Sequence, residues 1–332
     1  DQVLAGRPAG SLPDPVSDER ETAMSEESEW QKRITGEWWG CPSTFDAEGR
    51  HVGYDQVNRS SVFEDGKTTY YMTTAFEGGS LLRPRFDVRD FEFGVIDSDE
   101  NRLYLGPDFV GAGHPYGALV DANYYSPGWE ADLRTMNHIL PDGYRQVYSS
   151  MLMEGPVLVA LFNGVYINEV GAHDDPEVKA KVDQWLADER ANGSKPHILP
   201  MKQSGRWTGD FEVYGADQQK AGDVKVEVSH TPKDLLRADQ TVKITGDFEK
   251  EYSFERFRNR MVHTYNGPDM YGNARGYGRA LYTVQHAYAD PFKVKGREFI
   301  IDDDYTMSVV WEWFDGDKRT HMVFGVLEWE AE

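Results

Sequence analysis

The residues best placed for chemistry surround a loop that the chain writes twice. GPDFVGAGHPYGAL, Gly106 to Leu119, returns as GPDMYGNARGYGRAL, Gly267 to Leu281, 161 positions later (267 − 106). Shared Gly and Pro set the backbone of such a loop, so the positions that differ carry the information. His114-Pro115 becomes Arg275-Gly276. The strand leaving the first loop places Asp121, Asn123 and Tyr125 at alternate positions, hence on one face, where the second copy has Tyr282, Val284 and His286. An acid, an amide and a phenol on a buried wall can orient and protonate a substrate, and a nearby histidine exchanges a proton near neutral pH. His114, Asp121 and Tyr125 are therefore the expected catalytic residues. Asn123 and Tyr148 are expected to touch substrate, with Tyr282, His286 and Trp311 of the second copy walling off the site. The plainer reading of the same face is a solvated outer surface.

Other chemistries lose their usual support. His51, His138, His173, His197, His230, His263 and His321 form no His-Glu-x-x-His or His-x-His motif, and the single cysteine, Cys41, rules out Cys-x-x-Cys and an internal disulfide. Asp97, Asp99 and Asn101 begin like a calcium loop, but Arg102 stands where that loop needs Gly and Asp108 where it needs Glu. A hairpin turn is expected there. No Gly-x-Ser-x-Gly, phosphate loop or dinucleotide fingerprint occurs. The expectation is a site without metal or cofactor.

The duplication extends well beyond the loop. Phe91-Glu92-Phe93 falls on Tyr252-Ser253-Phe254 and Gly164-Val165 on Gly325-Val326, while Gly36-Glu37-Trp38 answers Gly205-Arg206-Trp207 with an offset of 169. Each unit is long enough to be a whole domain. Aromatic and β-branched runs separated by turns such as Glu64-Asp65-Gly66-Lys67 and Pro141-Asp142-Gly143 predict an antiparallel meander in both. Trp38 and Trp207, at the first strands, are expected to plug their barrel ends. Between the units one helix is predicted: Asp174 or Asp175 caps it, Pro176 opens it, Gly193 ends it, and Val178, Val182, Trp185 and Leu186 form its apolar stripe. A shorter helix is expected from Ser25 through Trp30. The expected map is a tail over 1–24, a first barrel over 25–172, the helix over 173–194 and a second barrel over 195–332.

A Gly-x-Trp near the first strand, a meander of about eight strands and an Asp142-Gly143-Tyr144 or Asp304-Tyr305 turn about 100 residues later resemble the lipocalin or calycin pattern. Two such barrels in tandem resemble the lipocalin-like carotenoid hydratases, their hydrolase-like relatives and the decalin-forming cyclases. The resemblance implies an all-β fold of two tandem lipocalin-like antiparallel barrels joined by one α-helix.

The formal charge of −22 disfavours nucleic acid and anionic membrane surfaces as partners. No apolar run reaches the length of a membrane-spanning helix, so a soluble protein without membrane insertion is expected. A start at Asp1 fits a chain that has lost a targeting segment, which leaves cytoplasmic, periplasmic and secreted locations open. Nothing in the sequence sets an oligomeric state. The expected function is acid–base chemistry on a small hydrophobic or aromatic molecule in a barrel cavity, as a lyase, hydratase or dehydratase, isomerase or cyclase. A non-catalytic carrier of a hydrophobic ligand and an interaction protein with packed barrels are the alternatives. A polar cavity containing histidine would favour the enzyme, an all-apolar cavity the carrier, and no cavity the third.

Overall fold

The protein is described by a computed structural model over residues 26–77, 90–128 and 130–332. The expected tail over 1–24 lies outside these. Two closed antiparallel barrels follow one another along the chain. The first is built from β1 (Gly36–Gly40), β2 (Ser43–Asp46), β3 (His51–Glu64), β4 (Lys67–Glu77), β5 (Asp90–Asp97), β6 (Arg102–Leu105), β7 (Val110–Tyr116), β8 (Leu119–Ser126), β9 (Ala131–Ile139), β10 (Arg145–Glu154) and β11 (Val157–Asn168). β1 and β2 both pair with β3 on one side and β11 on the other. They are one stave broken at Cys41-Pro42, where proline cannot donate to a ladder. The barrel thus has ten staves rather than eight.

The second barrel also has ten: β12 (Gly205–Gly215), β13 (Lys220–Pro232), β14 (Arg237–Gly246), β15 (Lys250–Asn259), β16 (Val262–Asn266), β17 (Met270–Tyr277), β18 (Ala280–Ala287), β19 (Phe292–Ile300), β20 (Met307–Asp315) and β21 (Lys318–Ala331), closed by pairing of β12 with β21. Registers repeat as well as strands. Trp38 lies opposite Arg59 and Trp207 opposite Val228, while Ser150 lies between Thr135 and Phe162 as Trp311 lies between Gly296 and Val323. Hairpin turns carry the residues they require: Asp65 and Gly66 both have positive φ, at 50° and 75°. Trp38 and Trp207 are wholly buried, and each indole donates to a carbonyl outside the strands, of Ile34 at 2.8 Å and Tyr305 at 3.0 Å.

α1 (Glu29–Ile34) starts later than expected, with Ser28 as its cap. Ser28 also donates to Asp97 at 2.6 Å, and Gln31 reaches Ser61 at 3.0 Å and accepts from Arg102 at 3.1 Å, so α1 is pinned across one end of the first barrel. α2 (Pro176–Asn192) is capped by Asp175 and lays Val178, Val182, Trp185 and Leu186 on the outside of the first barrel, against Cys41, Trp39 and Ile167. Its Glu189 is buried. It accepts from the Val165 amide of the first barrel at 2.9 Å and from Arg279 of the second at 2.8 and 2.6 Å.

The repeated loop ends in the turns that join the barrels. Gly117 and Gly278 have φ of 55° and 59°, and a side chain on Gly117 would strike Tyr214 of the second barrel, one on Gly278 Phe45 of the first. Residues 45 and 214 are equivalent under the offset of 169, so each unit grips the same place on the other, as a two-fold arrangement requires.

Candidate functional site

Alternation in a barrel wall decides what faces inward, and here it separates the expected site from the cavity. On β8, Val120 and Tyr124 face the interior, which turns Asp121, Asn123 and Tyr125 outward. His114 is directly opposite Asp121 in the β7–β8 ladder and shares that outer face. The residues do share a face, as expected, but it is the wrong one for a cavity. Tyr125 is 47% exposed, Asn123 is exposed, and His114 is held by Asn101 at 3.1 Å. Asp121 is 5% exposed: Arg134 of its own barrel donates to it at 2.9 and 2.8 Å, Arg319 of the second barrel lies 3.6 Å away, and both arginines reach Glu312 of the second barrel. This is a joint between barrels.

The counterpart wall on β18 is outward too. Tyr282 donates to Asn163 at 3.1 Å across the joint, and His286 is exposed. Trp311 does not wall off the first barrel but lies in the core of its own. Of the expected contacts, Tyr148 alone lines the cavity found here.

That cavity, of about 160 Å³, occupies the first barrel. Aromatic side chains supply much of its wall. Tyr70 stacks on Phe93 at 4.8 Å and Tyr148 on Tyr166 at 5.2 Å, while Tyr104 and Tyr124 lie side by side. Gly111 and Gly113, on the inner side of β7, make room for the last two rings, which a Cβ at either position would strike. Trp30 and Ile34 of α1 close one end, and Asp108 and Phe109 of the repeated loop lie in the wall toward the other.

Besides Asp108, which is exposed, two charged side chains break this lining, both on β3. Asp55 is half-buried overall, but its Oδ1 is shielded and has no hydrogen-bond partner. Loss of hydration pushes its carboxyl up to about 7. Arg59 is buried, and one Nη donates to Gln146 at 2.8 Å. The phenols of Tyr104 and Tyr148 are pushed up to about 12 by burial and stay protonated. No histidine lines the cavity.

The sister barrel shows what these residues replace. Register puts Val224 and Val228 where the first barrel has Asp55 and Arg59, and Trp311 and Trp313 where it has Ser150 and Leu152. Gly296, standing for Thr135, admits the Trp311 ring at 2.9 Å from where its own Cβ would be. The second barrel is consequently filled, with a void of about 20 Å³ beside a buried set in which Arg256 meets Glu298 at 3.1 Å and His263 at 3.1 Å. Arg256 holds Glu298 down at about 2, whereas burial and the Arg256 charge keep His230 down at about 4.

Sequence reading missed Asp55 and Arg59. Asp55, Val57, Arg59 and Ser61 share a strand face, but Gln56, Asn58 and Ser60 make the opposite face equally polar. The usable signal was the contrast with Val224, Val226 and Val228 in the second copy. Among the described residues no cluster of His, Cys, Asp or Glu could hold a metal ion, and no helix is long and apolar enough to cross a membrane.

No known family matches this sequence, and no curated protein does. Among solved structures, a protein of unknown function from the DUF3598 family of Nostoc punctiforme PCC 73102 is similar over 91% of this chain and 99% of its own, with a TM-score of 0.55 and 10% identity. That likeness concerns the fold alone. A putative outer membrane protein of Bacteroides fragilis (TM-score 0.23, 9% identity, 92% of this chain and 100% of its own) is far more distant. So is a Rh. blastica porin mutant (TM-score 0.19, 3% identity, 89% and 99%).

Proposed function

We propose that the protein is an enzyme of the lyase or isomerase class that moves a proton on a small, single-ring molecule held in the first barrel, with Asp55 as the acid–base group and no cofactor. The observation that carries this reading is the carboxyl of Asp55, unpartnered on the wall of an aromatic cavity at a position where the filled sister barrel has valine. A carboxyl titrating at about 7 is divided between both forms at neutral pH, so it can take a proton from carbon and return it elsewhere. Size limits the substrate. A cavity of about 150 Å³ holds one benzene, and this one, at about 160 Å³, suits one ring rather than a polyene.

The test does not require the substrate in advance. Small cyclic and aryl ketones are incubated with the protein in D₂O and followed by mass spectrometry. Wild type should place deuterium beside the carbonyl of at least one, and Asp55→Asn should slow this by ~100-fold or more. Ring compounds that bind without any exchange would move the assignment to a non-catalytic carrier.

A further inference from the structure

We infer that the cavity selects a ring-bearing anion, a monocyclic carboxylate of about benzoate size, whose carboxylate sits on Arg59; this rests on the first barrel being the ligand site. Three other buried guanidiniums each have a carboxylate. Arg102 meets Asp97 at 3.1 Å, Arg256 meets Glu298 and Arg279 meets Glu189. Arg297 has no carboxylate but donates to Ser149 at 2.9 Å and Ser308 at 2.7 Å, away from any described cavity. Arg59 differs from all of these. It is 9% exposed and lines the cavity, and no carboxylate lies within ion-pair reach among the described residues.

A buried, unpaired guanidinium is strongly unfavourable unless something completes it. Its surroundings suit an aromatic acid, because the guanidinium carbon lies 6.0 Å from the Trp38 ring centre and 5.9 Å from that of Tyr166. Asp55 does not neutralise it. Four positions along a strand separate the two by roughly 13 Å, and ion pairing is absent from what sets the Asp55 carboxyl. A ring between them can place its carboxylate on Arg59 and its far edge near Asp55. Val228, at the equivalent place in the second barrel, offers no such group.

Calorimetry on the full chain at pH 6 with benzoate, benzamide and toluene tests this. Benzoate should bind at least ten-fold more tightly than benzamide, its neutral isostere, and Arg59→Gln should erase the preference. Ser150→Trp combined with Thr135→Gly, which copies the filled barrel, should abolish binding of all three. If benzamide or toluene binds as tightly as benzoate and the filled variant blocks both, the anion preference is refuted while the cavity stands. If no ring compound binds, or binding survives filling, the ligand site itself is refuted and this inference with it. Should Arg59→Gln fail to fold, the benzoate-to-benzamide ratio of the wild type decides alone.

Discussion

Asp55 and Asp121 are both sheltered carboxylates, and their surroundings give them opposite work. Asp121 accepts two hydrogen bonds from Arg134 and closes a joint, while the Oδ1 of Asp55 accepts none. Asp121→Asn should therefore cost about 1.5–3 kcal/mol through weakened charged hydrogen bonds and leave ring-compound binding unchanged, as measured by denaturant unfolding beside calorimetry. Asp55→Asn should do the reverse. Because the folded carboxyl titrates at about 7 and the unfolded one near 4, folding holds a proton that the unfolded chain releases. The wild type thus loses stability from this group as pH rises between these values, by up to about 4 kcal/mol at ~1.4 kcal/mol per unit. The variant should be the more stable protein at pH 8, with little advantage at pH 4. Equal stabilities at pH 8 would show that Asp55 is solvated after all.

At the level of elements, a cavity survives in one barrel and not in the other because β9 and β10 carry Thr135 and Ser150 where β19 and β20 carry Gly296 and Trp311. α2 is the other decisive element. Its Glu189 is the only acid paired with the buried Arg279 among the described residues, so removing it strands a charge. Glu189→Ala should cost about 3–5 kcal/mol, read as a lower denaturant midpoint, and a loss under ~1 kcal/mol would mean that water enters the joint. The two buried tryptophans at the first strands belong at this level too. Trp38→Ala or Trp207→Ala should cost about 3–5 kcal/mol, since either leaves a large void at a fully buried position.

The whole molecule is two similar barrels locked by a mutual grip. Tyr116, Leu119 and Met136 of one pack on Tyr214, Val310 and Phe324 of the other, and Phe45 and Leu161 pack on Tyr277. Either half alone would present these faces to water. A chain cut between 192 and 195 should give halves that elute together on gel filtration with the strand signal of the intact protein. Halves that fold separately and never associate would show that the joint is incidental.

Much of this architecture was legible in the amino-acid order because it depends on local rules. The offsets exposed the duplication, period-two alternation placed Asp121, Asn123 and Tyr125 on one face, and Asp175, Pro176 and the Val178-Val182-Trp185-Leu186 stripe gave α2. Which side of a wall is the inside was decided only by the tertiary structure. Alternation says which residues share a face, and polarity normally tells the inner from the outer one. Here that cue failed twice. The second barrel buries part of the outer face of the first, so Asp121 is sheltered without being internal, and the interior retains Asp55 and Arg59, so a polar strand face is not an outer one. Burial is a property of what packs against a strand, and here the covering barrel comes from the distant half of the chain.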